Sequence, residues 1–264
     1  MIEEPLDVFV GVACRNFIKK CYDRTVININ DFSSGTVWPG SDRSELKFFE
    51  TIIERIVLFA RGYAISAENI LLQEKPDDLL RSNRQNMICD QGCLKLLIML
   101  LEKLIPISQR SDSTVLQATQ KSLNPSDDEK TVVRMAMVIL QQALRLLYYT
   151  VAECPRNQMF VADYLPILLA HVGVQELAAK CFTEMLNENM ELQETKISLR
   201  EISIFTEKLR MSKMNSMYLN LLKATCSCCG RGVTGNQITV ADVVFKDLSD
   251  IIIQVHADYS KMTK

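Results

Sequence analysis

Residues 126–151 read SDDEKTVVRMAMVILQQALRLLYYTV. Apolar side chains recur at Val132, Val133, Met135, Ala136, Ile139, Leu140, Ala143, Leu146 and Leu147. Spacings of three and four put them on one stripe of an α-helix. Ser126 and Glu129 open it as a capping box. The serine accepts from the third helical amide, and the glutamate reaches back to the cap amide. Pro155 predicts where the helix has stopped. This long amphipathic helix sets the fold class as all-α.

The same pattern recurs on both sides. Upstream, Val10, Ala13, Cys14, Phe17 and Ile18 are helix-spaced, and residues 26–42 follow as a turn-rich loop around Trp38. A strong stripe runs through Leu46, Phe49, Ile52, Ile53, Ile56 and Phe59, with Gly62 as its C-cap. A shorter helix is expected over 67–72. From Leu79 to Leu104 the pattern resumes, broken near Gly92, and Pro106 reads as a stop. Residues 107–127 read as a polar loop. Downstream lie units at 157–170, 174–187, 198–209 and 214–229. Successive short helices on short loops predict an armadillo-like helical solenoid of about nine to twelve helices. That domain is expected over 1–240. Residues 241–264 form a C-terminal extension, with 238–245 as a short helix or irregular piece.

The chain has 264 residues, 30 basic against 32 acidic, so no strong global field recruits nucleic acid or an anionic membrane. The N-terminus lacks the pattern of a signal peptide. No apolar run approaches the length a bilayer needs. Nine cysteines without a staple pattern fit free thiols in a reducing compartment.

Chemistry is sparse. The only histidines are His171 and His256. His171 reads as a helix-end or interface histidine. Cys226, Cys228 and Cys229 form one compact group with no second pair to complete a zinc site, so they read as thiols at a helix end before a glycine cap. No phosphate loop, catalytic base set, metal centre or cofactor motif is present. A non-enzyme is expected. Two basic stretches stand at predicted helix starts: Arg81 with Arg84, and Arg156. Amides and dipole there favour an anion. Such arginines hold a phosphate, or equally a neighbouring carboxylate or carbonyl.

These stretches also carry a resemblance. Ser82-Asn83-Arg84-Gln85 through Leu100, then Arg156-Asn157-Gln158, then Phe182 to Leu186 with Asn189, come in order. Tyr218 to Leu222 with Cys226 and Cys228, and Gly235-Asn236-Gln237, complete the series. The order and spacing over most of 8–240 resemble intracellular calcium-release channels. The likeness is nearer to inositol trisphosphate receptors and more distant to ryanodine receptors. The resemblance implies the armadillo-like RIH domain that follows the N-terminal β-trefoils. It implies a ligand-gated calcium channel of the endoplasmic reticulum membrane, tetrameric in its full length, with this segment on the cytosolic face. Partners would be the β-trefoils and neighbouring helical domains of the same channel.

In that family the helical domain supplies cations to the inositol trisphosphate site. The matching positions here are Ser82, Asn86 and Cys89, then Cys154, Pro155 and Arg156. Only Arg156 keeps a charge. Trisphosphate recognition depends on charge-assisted, often bidentate contacts. The expectation is therefore a non-catalytic regulatory domain whose ligand recognition is lost. The alternatives are a free-standing armadillo-like interaction module, and weak inositol phosphate binding through Arg81, Arg84 and Arg156.

Overall fold

The structure is a computed structural model, and it describes residues 10–23, 43–63, 76–110, 127–212 and 215–247. Helix α1 covers 10–23. Then follow α2 (Arg43–Ala60), α3 (Asp78–Asp90), α4 (Cys93–Arg110) and α5 (Asp127–Val151). Next come α6 (Pro155–Ala162), α7 (Leu165–Leu169), α8 (Glu176–Asn187) and α9 (Met190–Lys196). Last are α10 (Leu199–Met211), α11 (Ser216–Cys226) and α12 (Thr234–Asp242), which runs into a π-helical turn at Val243–Asp247. The only strands among the described residues are β1 (Ser227–Cys228) and β2 (Arg231–Gly232), an antiparallel pair. The all-α solenoid expected from periodicity is the observed fold.

Its organisation follows from which stripes are apolar. Helices α2, α5, α8 and α11 form a row in which each packs on the next. A second line, α3, α6 and α9, also packs in succession. Helix α5 sits mid-row and buries two sides. Ala136, Leu140, Ala143 and Leu147 are joined in the core by Leu144, Leu146 and Val151. The contacts with α2, α4 and α8 account for this double burial. Phe182 on α8 and Phe205 on α10 meet edge to face, ring centroids 5.3 Å apart, both fully buried.

Caps divide the row. At the end of α2, Gly62 has φ +81°, and a Cβ there would lie 2.4 Å from Asp77 O and 2.9 Å from Arg81 N. Only glycine admits the start of α3 so closely. Ser198 and Glu201 form a full capping box on α10. Ser126 of the capping pair read with Glu129, the loop at 26–42, Trp38, the helix at 67–72 and His256 lie outside the described residues.

Pro106 corrects one expectation. It does not stop α4, which runs through it to Arg110. Proline has no N–H to give the carbonyl four residues back and crowds that turn. His171 braces the region. Its Nε2 lies 2.9 Å from Leu101 O, its Nδ1 3.3 Å from Ser108 Oγ, and Ser108 Oγ donates to Ile105 O. A carbonyl only accepts, so Nε2 carries a proton.

Burial lowers the His171 pKa from its ordinary value, and the Leu101 bond opposes this only in part. The unfolded chain therefore binds a proton in mild acid that the folded chain refuses. Stability is full above the ordinary histidine value of about 6.5 and falls as pH drops below it, by at most about 1.4 kcal/mol per pH unit. Urea midpoints at about pH 7.5 and about pH 5.5 check this. His171→Gln, which keeps a donor, should flatten that part of the profile. An unchanged slope would show that other groups carry it.

Candidate functional site

The polar residues of the signature stretches are largely buried. Asn157, Gln158 and Gln193 are 0% exposed, and Gln85 is 1% exposed. Their amides point at the C-terminal ends of the row helices. Gln85 Nε2 donates to Tyr149 O and Ala152 O at 2.8 and 2.9 Å. Asn157 Nδ2 donates to Thr150 O and Gln85 O, both at 3.0 Å, and Gln158 Nε2 donates to Val151 O. Together they cap the end of α5.

The next ends repeat the device. Gln193 Nε2 reaches Leu186 O of α8 at 2.6 Å and Ala224 O of α11 at 2.9 Å, with Ser227 O at 3.2 Å. Asn189 Nδ2 donates to Gln158 Oε1 while its Oδ1 caps Leu192 N on α9. Asn236 and Gln237 donate to Thr225 O and Cys226 O of α11. At the start of the row, Arg84 Nη1 donates to Tyr63 O just past α2.

The physical reason is common to all. The last turn of a helix offers carbonyls with no intrahelical donor. A buried carbonyl left so is costly. Amide and guanidinium N–H groups meet that need. Asn157, Gln158 and Gln193 each stand seven residues beyond the carbonyl they cap. At α11 the offset is eleven, because the β1–β2 hairpin intervenes. The oxygens Gln85 Oε1, Asn157 Oδ1 and Gln193 Oε1 accept no bond from the protein. The ends they serve offer only acceptors, so the amides turn their donors inward. The result is a ladder of side-chain amides down one edge of the solenoid.

A model of the RIH domain family matches residues 61–257. The chain belongs to the RIH domain family. It therefore shares a domain with the inositol trisphosphate and ryanodine receptors. The match opens at the α2 cap and takes in every rung of the ladder.

In this RIH domain the stretches expected to form a ligand wall do come together, because α3 packs on α6. Asn86 Oδ1 and Cys154 Sγ are 3.7 Å apart. Burial raises the Cys89 and Cys154 thiol pKa values above the ordinary range, so both stay neutral. The three arginines each meet a different partner. Arg81 pairs with Glu153, and with Asp78 at 3.3 Å. Arg84 is 6% exposed, its guanidinium 4.4 Å above the Phe59 ring. Arg156 grips Asp90 through two hydrogen bonds at 2.5 and 3.2 Å. That carboxylate, first by hydrogen bond and then by charge, raises the Arg156 pKa further.

Asp90 and Glu153 were not visible as partners in the sequence. Glu153 lies 72 residues from Arg81, at a positive φ of 53° after the end of α5. An acid at a helix-ending position beside a basic stretch was the available signal. Among the described residues no group of three or more His, Cys, Asp or Glu side chains is placed to hold a metal. Also among them, no helix is long and apolar enough to cross a membrane. The thiol cluster departs from its expected form. Helix α11 ends at Cys226, and Cys228 and Cys229 belong to the hairpin rather than to a helix end.

Proposed function

We propose that this RIH domain is a non-catalytic transmitting module of an intracellular ligand-gated calcium-release channel, and that it does not recognise inositol trisphosphate. The carrying observation is the state of its cations. Arg81 and Arg156 are matched by carboxylates of the same chain, and Arg84 lies under the end of α2. Ser82, Asn86, Cys89, Cys154 and Pro155 supply no charge. The wall has no net positive field for a polyanion. An incoming phosphate would have to displace Asp90 from Arg156 in exchange for a similar bond.

The transmitting role rests on family membership and on the ladder, which joins the ends of successive helices. The segment would work on the cytosolic face of the endoplasmic reticulum membrane, in a tetramer, between N-terminal β-trefoils and neighbouring helical domains.

Calorimetric titration of inositol trisphosphate into the folded chain at low salt is expected to give no saturable heat. Saturable heat that Arg156→Gln abolishes would restore ligand binding and overturn this reading. Calcium efflux from vesicles carrying the whole gene product checks the channel role. Vesicles that stay closed under every agonist tried would count against it.

A further inference from the structure

The β1–β2 hairpin turns on Cys229 and Gly230, whose φ values are +49° and +75°. Two positive φ values in a two-residue loop are what a type I′ turn requires, and Asn-Gly or Asp-Gly is the usual choice. A cysteine at the first position is strained where asparagine would not be. Its thiol is the exposed one of the nine cysteines, while Cys228 beside it is 1% exposed. The two sulfurs stand 3.9 Å apart. The hairpin is otherwise held firmly. Cys229 N donates to Asn187 O at 3.1 Å, and Gln193 holds Ser227 O.

We infer that Cys228 and Cys229 form a peroxide-sensitive dithiol that closes reversibly to a vicinal disulfide. The inference is independent of the channel reading. Cys229 is the attacking group, since it is the exposed residue of the pair. Burial pushes the Cys228 thiol up to about 11, so Cys228 is held as the protonated partner. In the first step the Cys229 thiolate attacks hydrogen peroxide. An S–O bond forms, the O–O bond breaks and hydroxide leaves, giving a sulfenic acid at Cys229. In the second step Cys228 gives up its proton and attacks that sulfur. The S–S bond forms, the S–O bond breaks and the oxygen leaves as water. Two thiols and one peroxide become one disulfide and two waters.

Adjacent residues hold their Cα atoms nearer than an ordinary disulfide prefers, and such a bond is readily reduced. Reversibility follows. The tight ring also distorts the Cys228–Cys229 peptide, whose N–H makes the bond to Asn187 O. Oxidation is thereby felt at the α8–α9 corner.

The test treats the intact, reduced chain with a small excess of hydrogen peroxide, followed by non-reducing peptide mapping. The expected product is a peptide containing Cys228 and Cys229 that has lost two hydrogens and regains them with excess glutathione. Cys229→Asn suits the turn, keeps the fold and should leave Cys228 reduced. Cys228→Ser should instead leave a sulfenic acid at Cys229 that dimedone labels. A Cys229 that stays reduced, a wild-type sulfenic acid that never closes, or a disulfide formed elsewhere in its place would each overturn the inference.

Discussion

Gln193→Leu is expected to lower the free energy of unfolding by about 2–4 kcal/mol. The side chain is fully buried and its single nitrogen serves carbonyls at the ends of α8 and α11. Leucine nearly fills the volume, so little cavity opens. What remains is two buried carbonyls, Leu186 O and Ala224 O, without that donor, each costing about 1–3 kcal/mol, offset in part by removal of the unpartnered Oε1. Urea denaturation read by far-UV circular dichroism measures it. A loss below about 1 kcal/mol would mean that the carbonyls find other donors. Gln193→Glu sharpens the test. A carboxylate turns acceptors toward acceptors, so it should destabilise more. Its protonated form can still donate, so the folded state raises its pKa, and the loss should grow as pH rises through the carboxylate range.

Phe182→Ala should cost more, about 3–5 kcal/mol, because the ring is fully buried and its neighbours are held by other contacts. Phe205 loses its edge-to-face partner, and the space between α8 and α10 cannot close without moving the capped end of α8. Leu199→Ala is the matched control. That side chain is 59% exposed, and its loss should stay within about 0.5 kcal/mol. Equal effects from the two would show that the α8–α10 packing is not as described.

Much of this architecture was legible in the chain, because apolar spacing reports a buried stripe directly. The stripe through Ala136, Leu140, Ala143 and Leu147 faces the core, and the breaks at Gly62 and Gly92 fall at helix ends. Pro106 misled because proline's local cost is legible in the sequence, while contacts that α4 makes across the fold, such as the His171 bond to Leu101 O, are not. The hairpin at Cys228 was hidden for a related reason. Two-residue strands have no periodicity to read, and only Cys-Gly in place of Asn-Gly marked the turn. The arginines illustrate a further limit. Their charge is evident in the sequence, but their partners are not. Arg156 and Asp90 are 66 residues apart, and the packing of α3 on α6 is what brings them together. The Asn and Gln residues stood out as a recurring signature, yet what they donate to became visible only with the helix ends in place.

The amide ladder has a mechanical consequence. Its rungs lie at the C-terminal ends of the row helices, the Arg145–Glu54 and Tyr148–Glu184 contacts fall in the C-terminal halves of theirs, and much of the rest of each interface is apolar packing. A beam cross-linked along one edge resists stretching there and yields on the other side. The ladder is thus a line of nearly constant length about which the solenoid bends. A push at one end would arrive at the other as a change of curvature, with the spacing of the rungs preserved.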